Sequence, residues 1–162
     1  MGARSAAGGR SPGCGERYRY VGTKSLEVNP SFSPDGRWIA YASNETGAFE
    51  IYVGSFENPE LRCQVSTQGG QSPQWRGDGK ELYYVGPGRM LVATRLETQG
   101  NVVKVAASES LFPLESYSQN LWQGYGVSSD GKRFLIQRFA SGEDPSTGSM
   151  VLVSDWRSGL GN

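Results

Sequence analysis

Short stretches in which apolar or aromatic side chains alternate with small or polar ones recur along the chain, separated by clusters of Gly, Pro, Asn and Asp. A period of two is the mark of a strand half or wholly buried in a sheet. The pattern predicts strands over residues 30–32, 38–43, 49–55 and 62–66, then 74–75, 81–85, 90–97 and 101–106. Further strands are expected near 125, over 134–137 and over 150–155, and a lone one over 18–21. Residues 108–123 are less regular and read as a long connection.

Three of these strand pairs are joined by the same device. Ser33-Pro34-Asp35-Gly36-Arg37, Arg76-Gly77-Asp78-Gly79-Lys80 and Ser128-Ser129-Asp130-Gly131-Lys132 each place Asp-Gly and a base between a short strand and a longer one. Asp bonds its own backbone in such a turn and Gly takes positive φ. The aspartates stand 43 and 52 residues apart, and a repeat of roughly 40–50 residues with one turn per copy is the period of a β-propeller blade. The chain therefore reads as all-β, with blades over about 30–66, 72–106 and 124–156 in a partial propeller spanning 18–162. The third unit stops short of a fourth strand, and the strand at 18–21 is the candidate to complete a blade. Three blades are fewer than the roughly 4–8 of closed propellers. Two copies would make a six-bladed ring, each N-terminal strand completing the partner's third blade.

Composition narrows the function. Sixteen basic and sixteen acidic residues cancel, so no field draws in nucleic acid. The chain has no histidine, which removes Ser-His-Asp and Cys-His nucleophile arrangements and the commonest zinc ligand. The Asp-Gly turns lack the alternating oxygen ligands of a calcium loop. The glycine-rich stretches Gly69-Gly70 and Gly86-Pro87-Gly88 lack the Lys-Ser/Thr ending of a phosphate cradle. No metal and no cofactor is expected. Glu45, Glu50, Glu81 and Asp144 read as solvated acids. Cys14 and Cys63 are not expected to pair. No apolar run is long enough to span a membrane. Residues 1–17 read as a disordered arm without the apolar core of a secretory signal. As written the chain suits the cytoplasm; with a natural start further upstream it suits the periplasm.

What remains is recognition by loops. In propellers the loops joining strands two and three share a rim with the links between blades. That places Asn44, Glu45, Gln71 and Arg89 on one rim as candidate binding residues. Tyr117, Trp122 and Tyr125 fall in or near the irregular connection, where exposed aromatics can form a binding surface; Trp122 joins the candidates.

The strings Asn29-Pro30-Ser31-Phe32-Ser33-Pro34-Asp35-Gly36-Arg37-Trp38-Ile39-Ala40-Tyr41 and Gln71-Ser72-Pro73-Gln74-Trp75-Arg76-Gly77-Asp78-Gly79-Lys80 resemble the WD40-like propeller repeat of the TolB type. Asp130-Gly131-Lys132-Arg133-Phe134-Leu135 and the ending from Ser154 resemble the last blade of such propellers, so the likeness covers about 18–160. It implies a non-catalytic scaffold for protein–protein interaction. TolB itself binds protein partners in the periplasm. In bacteria such propellers are often fused behind a serine/threonine kinase domain, and similar ones gate serine peptidases. The resemblance thus also allows a regulatory or gating fragment of a larger enzyme. None of the kinase motifs is present in this chain.

Overall fold

The computed structural model describes residues 19–114, 124–139, 148–154 and 156. The arm over 1–17, Cys14, Tyr117, Trp122 and Asp144 lie outside the described residues. Among the described residues eleven strands form three antiparallel sheets. The first holds β1 (Glu27–Phe32), β2 (Trp38–Ser43), β3 (Glu50–Ser55) and β4 (Arg62–Gln64) in sequence order. The second holds β5 (Gln71–Trp75), β6 (Glu81–Val85), β7 (Met90–Gln99) and β8 (Val102–Pro113) in the same order. The third holds β9 (Tyr125–Val127), β10 (Arg133–Phe139) and β11 (Gly148–Ser154).

The inner strands of the middle sheet bury both faces. Along β6, Leu82 and Tyr84 enter one core while Tyr83 and Val85 enter another. The first core lies between sheets one and two and takes Trp38, Ala40, Ala42, Ile51 and Val53 from the first sheet. The second lies between sheets two and three around Phe134, which meets Tyr83, Phe112 and Trp156 edge to face at ring distances of 5.1, 5.6 and 5.9 Å. Such offset aromatic pairs add about 0.5–1.5 kcal/mol beyond their buried area.

The innermost strands are also tied side chain to backbone. Trp75 Nε1 donates to Ser31 O at 3.1 Å, and Gln74 Nε2 to Tyr125 O at 2.7 Å. Tyr125, expected beside an exposed binding loop, instead opens β9, is buried, and donates its hydroxyl to Ser72 O at 2.7 Å. Each inner strand of the first two sheets carries a register shift where a residue of positive φ precedes proline: Asn29 (φ 52) before Pro30, and Ser72 (φ 54) before Pro73. A bulge is where a sheet tolerates proline, and these two recur at the repeat spacing.

Two elements depart from the sequence pattern. The fourth strand of the second sheet runs on to Pro113 through polar Ser108-Glu109-Ser110. As an outer strand it needs no alternating apolar face, and register shifts along β7–β8 return Leu111 to the core. Tyr20 and Val21, in the segment read as completing a blade, pack with Phe56 on the outer face of the first sheet, over Ile39, Tyr41 and Tyr52. Tyr20 donates its hydroxyl to Ser55 O at 2.7 Å.

The Asp-Gly turns share one geometry. Asp35, Asp78 and Asp130 each accept from the backbone N–H two residues on, at 3.1, 3.0 and 3.0 Å. The glycines Gly36, Gly79 and Gly131 all stand at φ 70. Their surroundings differ. A methyl at Gly36 would meet nothing within 4 Å, whereas one at Gly131 would run into Tyr83 Oη and lie 2.7 Å from Arg76 Cδ. Gly36→Ala is expected to cost about 1–2 kcal/mol of backbone strain. Gly131→Ala is expected to cost about 1–3 kcal/mol more through overpacking. Urea unfolding of the two variants checks this order; equal losses would contradict it.

Candidate binding rims

One rim is built by the turns after β2 and β6 and by the link between the first two sheets. The link over residues 65–70 is held by a buried carboxylate. Glu50 Oε1 accepts from Gly69 N at 2.9 Å, and Oε2 accepts a short bond from the Ser66 hydroxyl, which in turn receives Ile51 N at 2.8 Å. Glu50 is thus not a solvated acid but a buried, satisfied one. A glutamate heading the apolar run Glu50-Ile51-Tyr52-Val53, with a serine and two glycines downstream, was the available signal.

Asn44 spends its side chain on the chain itself: Oδ1 accepts from Leu26 N at 2.8 Å. Glu45 pairs with Arg62, Oε2 to Nη1 at 2.9 Å. Arg62 is a residue the sequence does not single out. Its guanidinium lies 5.5 Å from the centre of the Tyr52 ring and 3.4 Å from Tyr41 Oη, and Tyr41 and Tyr52 stack at 5.8 Å. Burial raises both tyrosine hydroxyls, against the pull of Arg62. Gln71 opens β5 opposite Val85, and Arg89 sits in the next turn at φ 61, its carbonyl receiving Leu114 N at 2.9 Å. The structure therefore puts Gln71 and Arg89 together on the middle sheet, and Asn44 and Glu45 on the first.

Cavities occur on the opposite rim, which the sequence reading passed over. One of about 380 Å³ lies between the first two Asp-Gly turns, lined by Pro34, Asp35, Trp38, Asp78 and Lys80 among others. Another, of about 540 Å³, follows the end of the β7–β8 hairpin past Arg95, Glu97, Gln99 and Lys104. Lys80, Leu96 and Thr98 line both. The second turn departs from the repeat. Where the other copies have serine it has Arg76, which pairs with Asp78 and with Glu81, at 2.5 and 2.9 Å. Glu81 also accepts from Tyr83 Oη at 2.9 Å, so it too is engaged. Among the described residues there is no group of three or more His, Cys, Asp or Glu placed to hold a metal. Among the described residues Cys63 is a free thiol and no helix is long and apolar enough to cross a membrane.

No family model matches the chain. The Tol-Pal system protein TolB of Desulfotalea psychrophila is 30% identical over 69 residues, 41% of this chain and 16% of that protein. An oligogalacturonate lyase from Vibrio parahaemolyticus superposes with a TM-score of 0.60 at 17% identity, over 87% of this chain and 41% of the other. TolB from Acinetobacter baumannii gives 0.51 at 21% identity, over 83% and 34%. At these identities the structural likeness is one of fold. The chain spans less than half the length of each of these relatives; it is similar to TolB in sequence over those 69 residues and is a β-propeller in architecture.

The turn aspartates make this rim sensitive to acid. Asp35 is lowered from 3.8 by the Ser33 hydroxyl and the Arg37 amide, and Asp130 by the Ser128 hydroxyl and the Lys132 amide. Burial opposes ionisation of Asp78, but the Lys80 amide and Arg76 overcome it, and its pKa is lowered too. A carboxylate whose folded pKa is depressed stabilises the fold above its unfolded pKa and loses that contribution as pH falls through the folded value. The thermal midpoint should therefore decline as pH drops below 3.8. It should decline less steeply in the Asp35→Asn, Asp78→Asn, Asp130→Asn triple variant; identical slopes would contradict the assignment.

Proposed function

We propose that the chain is a non-catalytic β-propeller scaffold that binds a protein partner through the rim carrying Asn44, Glu45, Gln71 and Arg89, with Trp122 as a further contact. The observation that carries this is the sequence match to TolB, whose kind acts by binding proteins. The same likeness suggests the periplasm as compartment. The absence of histidine from the chain supports a role without nucleophilic catalysis. On the rim, Glu45 and Arg62 offer an acid and a base held in register, and Arg89 offers a second base on a turn. Charged rim groups of this kind set partner choice and encounter rate more than raw affinity.

The ends of the stack support completion by a second copy. The outer face of the third sheet exposes Leu135 at 45%, Met150 at 73% and Leu152 at 62%. Among the described residues that sheet has three strands. The Tyr20–Val21 segment lies on the outer face of the first sheet, where a neighbouring blade would stand. A second copy docked there would bring its third sheet beside this segment and give six blades, within the range of about 4–8 for closed propellers.

Two measurements test the reading. In pull-downs from source-cell extract, Glu45→Lys with Arg89→Glu should lose a protein that the intact chain and a Lys132→Glu control retain; equal retention would overturn the rim assignment. Light scattering after size exclusion should give about twice 17.6 kDa. A monomer at every concentration would overturn the ring.

A further inference from the structure

We propose that Phe32 anchors the contact between two copies of this chain, its ring seated over Gly126 of the second copy. The inference rests on the six-bladed reading above and names the residues that make its contact specific.

The two contacts between sheets inside the chain supply the pattern. On the inner strands the register sets Phe32 opposite Ile39, Trp75 opposite Leu82 and Val127 opposite Phe134. These three hold one place in the repeat, on the face turned toward the preceding sheet. One residue earlier, Ser31, Gln74 and Gly126 stand opposite Ala40, Tyr83 and Leu135, on the face turned toward the following sheet. Where the first two sheets meet, small Ser31 takes large Trp75, whose Nε1 donates to Ser31 O at 3.1 Å. Where the second and third meet, the long side chain of Gln74 reaches Tyr125 O at 2.7 Å, and the residue in the tryptophan's place is the smaller Val127. Bulk on one strand faces its absence on the next, as close packing requires.

A third pairing of this kind is left unmade at the two ends of the stack. A methyl at Gly126 would meet nothing within 4 Å. Phe32 is 57% exposed and keeps one edge-to-face contact, with Phe56 at 5.5 Å. Unlike the tryptophan in its place, it carries no N–H that needs an acceptor, so bare backbone suits it. The Tyr20 segment does not occupy this seat. Tyr20 precedes Cys63, and Phe32 precedes Trp75, by the same 43 residues. Tyr20 thus lies against the first sheet as Cys63 of β4 lies against the second, in the place of a preceding sheet's outer strand. The first and third sheets stand on opposite sides of the middle one, so Phe32 cannot reach its own Gly126 and a second copy supplies it. Two-fold closure makes the contact twice.

Sedimentation equilibrium over a range of concentrations tests the contact. The intact chain should form a two-chain species. Phe32→Ala should raise its dissociation constant about a hundredfold or more, because the substitution acts at both contacts. Gly126→Leu should do the same while the single chain stays folded, since the new side chain enters open space. Circular dichroism checks folding, and Gly126→Val serves if the leucine variant does not fold. Phe32→Ala combined with Gly126→Leu exchanges the large and small sides and should recover most of the association, a gain that no folding defect could produce. Val102→Ala, which trims a comparably exposed side chain of the middle sheet, should change nothing. A dimer that tolerates both single substitutions, or a combined variant as weak as the two losses summed, would overturn the Phe32–Gly126 contact and leave the ring standing. A monomer at every concentration would remove the ring and this contact with it.

Discussion

A sheet that must bury both of its faces needs a neighbour on each side, and the middle sheet of this chain has both. Leu82 and Tyr84 reach one way, Tyr83 and Val85 the other. The two cores they enter account for most of the large side chains that are fully buried among the described residues. Everything else is arranged around that constraint. The outer sheets are each cemented on one face, and their other faces meet the surroundings in different ways. On the first sheet, Tyr20, Val21, Phe56 and the Arg62–Glu45 pair cover the stacked tyrosines. On the third, leucine and methionine stay exposed. The stack therefore has a closed end and an open one.

The cores alone would allow the sheets to slide, because apolar contact is non-directional. Directional bonds remove that freedom. Trp75 reaches Ser31 O, Tyr125 reaches Ser72 O, and Gly77 N reaches Ser129 O at 2.9 Å, so neighbouring sheets are tied at the inner strands and again at the turns. Trp156 Nε1 bonds Gly131 O at 3.1 Å and anchors the end of the third sheet to its own turn. Buried tryptophan and tyrosine suit this work, supplying apolar area and one polar handle that needs a partner.

Much of the architecture was legible in the sequence because the turn chemistry is local. Asp, Gly and a following amide make the same turn wherever they occur, so three copies announce three sheets. The alternation in Leu82-Tyr83-Tyr84-Val85 reads as apolar throughout, as a strand buried on both faces should. Less legible was whatever depends on distant partners. Nothing near Ser108 or Glu109 says that β8 continues, because an outer strand tolerates polar residues on both sides. Nothing near Tyr20 says that it will lie over Ser55. The site suffered most. Glu50 looks like any surface acid until Ser66 and Gly69 are brought to it, and Arg62 gains meaning only once Glu45 and Tyr52 are beside it.

Native-state hydrogen exchange tests the central constraint most directly, because amides that open only with the whole molecule mark the element on which the rest depends. Leu82 to Val85 of β6 should exchange slowest of the described segments, at the rate of global unfolding. Amides of β11, whose sheet is cemented on one face only, should exchange far faster, through local opening. Protection in β11 equal to or greater than that in β6 would contradict the account, and would place the stabilising core at the open end of the stack instead of in its middle.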